Sequence, residues 1–163
     1  MFGAGGALFA AGGALVSAGC GFTLRGALPM PFRTIALVGF TPHSPLERAI
    51  QAQLAIGVEV LPQPARAQVV LQALQDTRER AVVASTAAGQ VRELQLRARL
   101  RWRASTPKGR ELIVPSEIVL ARDMSWNESA ALAKEKEADQ LYAAMDEDIA
   151  SQVMQRLARL KVD

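Results

Sequence analysis

The stretch Gln90-Val91-Arg92-Glu93-Leu94-Gln95-Leu96-Arg97-Ala98-Arg99-Leu100-Arg101-Trp102-Arg103-Ala104 alternates with period two. Leu94, Leu96, Ala98, Leu100, Trp102 and Ala104 share one side; Glu93, Gln95, Arg97, Arg99, Arg101 and Arg103 share the other. Successive strand residues point to opposite faces, so this pattern predicts a half-buried β-strand and cannot form a one-sided helix. Slipping the pairing by one residue would drive four arginines into the core, so the register is strongly specified. At about 3.3 Å per residue the segment spans roughly 50 Å. One face therefore needs a long apolar cover, and the other is wet and basic.

The neighbouring segments supply the partners. Ser85-Thr86-Ala87-Ala88-Gly89 and Thr106-Pro107-Lys108-Gly109 read as turns on either side. They join the central strand to Ala67–Val83 before it and Arg110–Met124 after it, an antiparallel meander. Pro115 removes one ladder bond, which predicts an edge strand or a bulge there. Further upstream, Thr34–Val38 is a short buried strand. Ser44-Pro45-Leu46-Glu47 then opens a helix, with Ser44 as cap and Pro45 at the first helical position. Leu46, Ala49, Ile50, Gln53 and Leu54 form its inner face, Gly57 stops it, and Val58-Glu59-Val60-Leu61 is a short extended piece. Strand, helix and return strand suggest a right-handed crossover between parallel strands.

Downstream, Ser125-Trp126-Asn127-Glu128 has the form of a second capping box, and no Pro or Gly follows it. Leu141, Met145, Ile149, Val153, Leu157 and Leu160 make a helical stripe that runs on toward the end of the chain. Such a helix is about 50 Å long and matches the central strand as its cover. The expected fold is α+β, a two-layer sandwich of a four-stranded mixed sheet with two helices on one face, in the order β-α-β-β-β-α. Leu100 and Trp102 are expected among the costliest positions to replace.

The 163 residues carry a net charge of +3, and the first 19 contain no charged side chain. Residues 1–19 are Gly/Ala-rich and apolar, with the length and small-residue ending of a secretory signal peptide but no early Lys or Arg. Residues 20–163 are expected to form one domain, with 20–32 as an extended connector. Ala18-Gly19-Cys20 resembles the end of a bacterial lipobox, although Ser17 stands where Leu is usual. Cys20 is thus the candidate lipid-attachment residue, and Gly21 after it favours the outer membrane. One cysteine and one histidine exclude an intramolecular disulfide, a two-cysteine metal site and a histidine triad. His43, in Thr41-Pro42-His43-Ser44-Pro45, reads as a loop residue. No phosphate loop, nucleophile elbow or HExxH motif occurs, so no catalytic residue, metal or cofactor is expected and the protein is read as a non-enzyme.

A pI near 9.5 is compatible with nucleic acid or an anionic lipid. Nucleic acid fits poorly, because base stacking needs exposed aromatics and Trp102 lies on the apolar side of its strand. The arginine row has two readings. It keeps an outer sheet face soluble, with Glu79, Glu111 or Glu117 on neighbouring strands to neutralise it, or it meets an anion such as a phosphorylated glycolipid or an acidic protein wall.

The chain resembles the LPS-assembly lipoprotein family, LptE, also called RlpB. The residues that carry the resemblance are Ala18-Gly19-Cys20-Gly21-Phe22 with Leu24-Arg25, Pro45-Leu46 with Arg48-Ala49-Ile50 and Gln53-Leu54, Gly57-Val58-Glu59-Val60-Leu61, and Ala131-Leu132-Ala133-Lys134. The resemblance implies a lipoprotein of the Gram-negative outer membrane that plugs and helps assemble the β-barrel LptD. It also implies binding of lipopolysaccharide during its insertion into the outer leaflet. One associated basic position is Lys134, whose competing role is to pair with Asp139 or nearby carboxylates. The other falls in the turn before the central strand, where this chain has Ala87, so Arg92, Arg97 and Arg99 are the candidate substitutes. The rival reading is a stand-alone periplasm-facing carrier of an anionic lipid, which would need an enclosed apolar pocket in place of a filled core.

Overall fold

The structure, a computed structural model, describes residues 28–161. The expected signal peptide, Cys20 and most of the 20–32 connector lie outside these residues. Seven main elements follow in order: β1 (Thr34–Val38), α1 (Pro45–Leu54), β2 (Glu59–Val60), β3 (Val69–Ser85), β4 (Val91–Ser105), β5 (Glu111–Ser125) and α2 (Ala131–Leu157). The sheet order is β2-β1-β3-β4-β5. β1 runs parallel to β2 and β3, and the long strands β3, β4 and β5 are antiparallel. Both helices bury their apolar sides in one core against one face of the sheet.

The four-stranded expectation falls one short. Glu59 and Val60 pair with Thr34 and Ile35 as a fifth, two-residue edge strand. The Glu59 amide donates to the Arg33 carbonyl at 2.9 Å and the Leu61 amide to the Ile35 carbonyl at 2.8 Å. Two residues are too few for periodicity to reveal a strand, because what holds them is main-chain pairing with β1 and not a buried face.

β4 behaves as its alternation requires. Leu94, Leu96, Ala98, Leu100, Trp102 and Ala104 are each at most 5% exposed, while Arg97, Arg101 and Arg103 lie open on the other side. Pro115 meets both of its predicted settings. β5 is an edge strand, and Val114-Pro115 sit where the ladder slips between Trp102–Ser116 and Ala104–Ile113. Phe32, expected in the connector, is instead buried in the core.

At α1 the capping expectation holds: the Ser44 hydroxyl accepts from the Glu47 amide at 3.1 Å, and Pro45 is the first helical residue. Leu46, Ile50 and Leu54 are buried. Gln53 turns sideways to α2, where its amide donates to the Glu147 carbonyl at 3.3 Å and the Ser151 hydroxyl at 3.2 Å. His43 is an exposed loop residue with a φ of 60°.

The second capping box does not form as expected, since Ser125 remains the last residue of β5. Asn127 takes the capping role instead, accepting from the Ser129 amide at 3.0 Å ahead of a 3-10 turn over Glu128–Ala130. α2 therefore starts at Ala131, and its 27 residues span about 40 Å, shorter than the expected match to β4. Met145, Ile149, Val153 and Leu157 of the stripe are buried, but Leu141 and Leu160 are only half-buried. A strict step of four advances about 40° more than a full turn, so the row winds off the sheet at its ends. Ala138, Tyr142, Ala150 and Met154 fill the contact alongside it.

Candidate functional site

The helix-facing side of β3 changes character along its length. Val69 and Leu71 lie in the core, but Asp76, Arg78 and Arg80 then stand opposite Leu100, Ala98 and Leu96, on the same inner face. Each polar side chain finds a partner in the helix layer. Asp76 Oδ2 accepts from Ser44 Oγ at 2.6 Å and Thr41 Oγ1 at 3.2 Å, tying β3 to the start of α1. Arg78 pairs with Asp146 of α2 and lies 5.0 Å from the centre of the Tyr142 ring. Tyr142 in turn donates to the Glu79 carbonyl at 2.7 Å, and burial pushes its phenol up. Asp146 is 3% exposed; burial raises its carboxyl above the ordinary value, and Arg78 opposes that rise.

Near the β3–β4 turn, Arg80 makes two bonds to Glu135, at 2.8 and 3.0 Å. Its guanidinium also lies 6.0 Å from the Trp126 ring. The ion pair holds the Glu135 carboxyl below its ordinary range and the Arg80 guanidinium above its own. Lys134, in the first turn of α2, donates to Ser125 Oγ at 2.9 Å and to Glu137 Oε2 at 2.7 Å. Its partner is thus Glu137 and not Asp139. Arg92 borders the same corner, because its carbonyl accepts from the Trp126 amide at 2.8 Å. Lys134 and Arg80 are thereby gathered around Ser125-Trp126, where β5 hands over to α2, with the Arg92 main chain beside them and its guanidinium donating to Gln90 Oε1 at 3.5 Å.

Arg97 and Arg99 stand apart from this corner, on the outer sheet face. Arg99 pairs with Glu117 at 2.8 Å, Arg97 Nε donates to Gln95 at 2.7 Å, and Arg103 Nε to Gln72 at 2.9 Å. Glu79 is the register partner of Arg97 on β3, and Glu117 that of Arg101 on β5. The row is therefore partly neutralised by Glu117, one of the acids anticipated for it. Arg80, Trp126 and Glu135 were not singled out by sequence. Alternation alone points the wrong way, because Val69, Leu71 and Ala73 put the inner face at odd positions and the register shift between Ala73 and Gln75 moves it to the even positions of Arg78 and Arg80.

The core between sheet and helices is filled by Trp102, Leu100, Leu96, Met145 and Ile149, all fully buried. A groove of about 650 Å³ lies between α1 and α2. Leu54, Ile56 and Met154 line it together with Glu147 and Asp148. Among the described residues no helix is long and apolar enough to cross a membrane. Nor, among those residues, does any group of His, Cys, Asp and Glu side chains have the arrangement of a metal site.

Solved structures share this architecture. The chain is similar to an uncharacterized lipoprotein B from Nitrosomonas europaea, with a TM-score of 0.68 and 24% identity, covering 82% of this chain and 88% of that one. A minor lipoprotein from Acinetobacter baumannii gives 0.66 at 19% identity, over 83% and 98% of the two chains. At these identities the likeness concerns the fold. Sequence relatives go further: the LPS-assembly lipoproteins LptE of Pectobacterium atrosepticum and Yersinia enterocolitica are each 32% identical over 142 residues. That alignment covers 85% of this chain in both cases, and 76% and 68% of those proteins. The model of the family described as LptE, lipopolysaccharide-assembly, matches residues 32–157, from the buried Phe32 to the last residue of α2. The chain belongs to the LptE lipopolysaccharide-assembly family.

Proposed function

We propose that this protein is a non-catalytic outer-membrane lipoprotein, anchored through an acylated Cys20, that docks in an LptD-like β-barrel and contacts lipopolysaccharide as it passes to the outer leaflet. The filled core is the observation that carries the choice of a plug over a carrier. A carrier must enclose acyl chains, and the groove between α1 and α2 is open and flanked by Glu147 and Asp148, which repel an anionic headgroup. A rigid two-layer domain offers surfaces instead. The outer sheet face, with its arginine row, fits an acidic barrel wall. The corner held by Lys134 and Arg92 fits the phosphates of the glycolipid. Several acyl chains on Cys20 give stable membrane attachment where one chain is marginal.

The test is to isolate the lipidated chain from detergent-solubilised outer membranes and identify what accompanies it by mass. A stoichiometric large β-barrel is the expected result. Recovery of the protein alone, or with lipid only, would move the assignment to the carrier.

A further inference from the structure

We infer that Arg80 and Trp126 complete a phosphate-binding corner with Lys134 and Arg92, and that Glu135 and Glu137 are built-in carboxylates holding the cations until the phosphate of a glycolipid displaces them. The inference rests on the glycolipid-binding reading above and adds two contact residues and a gate to it. Three observations lead to it. The Arg80–Glu135 pair is two-pronged, at 2.8 and 3.0 Å, the geometry in which a guanidinium also grips a phosphate. The Lys134 ammonium is fixed from two sides, by Ser125 Oγ at 2.9 Å and Glu137 at 2.7 Å, so it is aimed before any ligand arrives. Finally, the Arg80 guanidinium is braced by the Trp126 ring, 6.0 Å away.

The two carboxylates are well placed to leave. Glu135 and Glu137 side chains are 48% and 46% exposed, whereas the Lys134 side chain is 20% exposed. Water can solvate the departing acids, while the cations stay anchored to Trp126 and Ser125. Exposed ion pairs contribute little to stability, so exchanging a carboxylate for a doubly charged phosphate ester costs little and gains stronger charge-assisted bonds. The same acids keep the corner close to neutral when no ligand is bound, which suppresses unspecific attraction to other anions.

The experiment measures binding of purified lipopolysaccharide, and of the same glycolipid after dephosphorylation, to the full chain in detergent. Glu135→Gln with Glu137→Gln keeps the side-chain shape and removes both charges. The expected result is binding of the phosphorylated form tightened by about three-fold or more, with a steeper dependence on salt and no gain for the dephosphorylated form. Arg80→Gln should weaken binding of the phosphorylated form even though no family position points to it. Thermal melting of each variant near the wild-type temperature shows that the fold is kept. Equal or weaker binding by the double Gln variant, with Lys134→Gln still reducing affinity, would overturn the gate and leave the glycolipid site standing. No loss on Lys134→Gln and Arg80→Gln together would remove both the gate and the site.

Discussion

Trp102 shows how a single residue can be both essential and imperfect. Its ring is fully buried opposite Ala73 and Ser116, yet the indole Nε1 has no hydrogen-bond partner among the described residues. Trp102→Ala should therefore cost about 3–5 kcal/mol through the cavity it leaves. Trp102→Phe loses volume but also removes an unsatisfied N–H, so its cost should stay near ~1 kcal/mol. Urea unfolding of the two variants checks this; equal losses would mean that the nitrogen has a partner. Asp146 makes a pH prediction. Its folded-state carboxyl sits above the ordinary 3.8 because burial outweighs Arg78, so the native state holds the proton longer than the unfolded chain. The associated stability is complete below 3.8 and is lost as pH rises through the folded-state value. Asp146→Asn should remove that decline, so the difference between wild-type and variant urea midpoints should move against the wild type from acid toward neutrality. A constant difference would show that Arg78 balances the burial.

Among the elements, the free edge is the most exposed to misuse. β5 presents fifteen residues at the end of the sheet, with Val114 and Val119 exposed. Pro115 in its bulge withholds an amide donor and bends the strand, which discourages a second chain from pairing there. Pro115→Thr should leave the urea midpoint nearly unchanged and increase self-association in sedimentation; an unchanged monomer would mean that the bulge alone protects the edge. Most of the architecture was legible because period two in Leu94–Ala104 and the Ser44 cap are local physics, written in neighbouring residues. What stayed hidden depends on pairing across the fold. Glu59-Val60 forms a strand only because β1 offers it a ladder, and Ser125 stays in β5 because Glu93 pairs with it. The candidate site was half legible for the same reason. Lys134 and the arginines stand out as charges, but only the register shows that Arg80 faces Glu135 while Arg97 and Arg99 face away.

At the scale of the whole molecule, the two sheet faces divide the cations. The outer face spreads Arg97, Arg99, Arg101 and Arg103 along β4, with Glu117 interleaved. The helix side concentrates Lys134 and Arg80 at one corner around Ser125-Trp126, with the Arg92 main chain bonded beside it. A domain with a filled core has only its surfaces to work with, and the proposed function assigns the outer face to a barrel wall and the corner to a glycolipid. The most direct test is lipopolysaccharide binding by the full chain, comparing Lys134→Glu with Arg92→Glu against Arg97→Glu with Arg99→Glu. The first pair should weaken binding by about ten-fold or more, as losing charge-assisted phosphate contacts does. The second should stay within about two-fold of wild type, since long-range attraction between exposed charges is largely screened by salt. Loss in the second pair with none in the first would place the glycolipid on the outer sheet face and contradict the account.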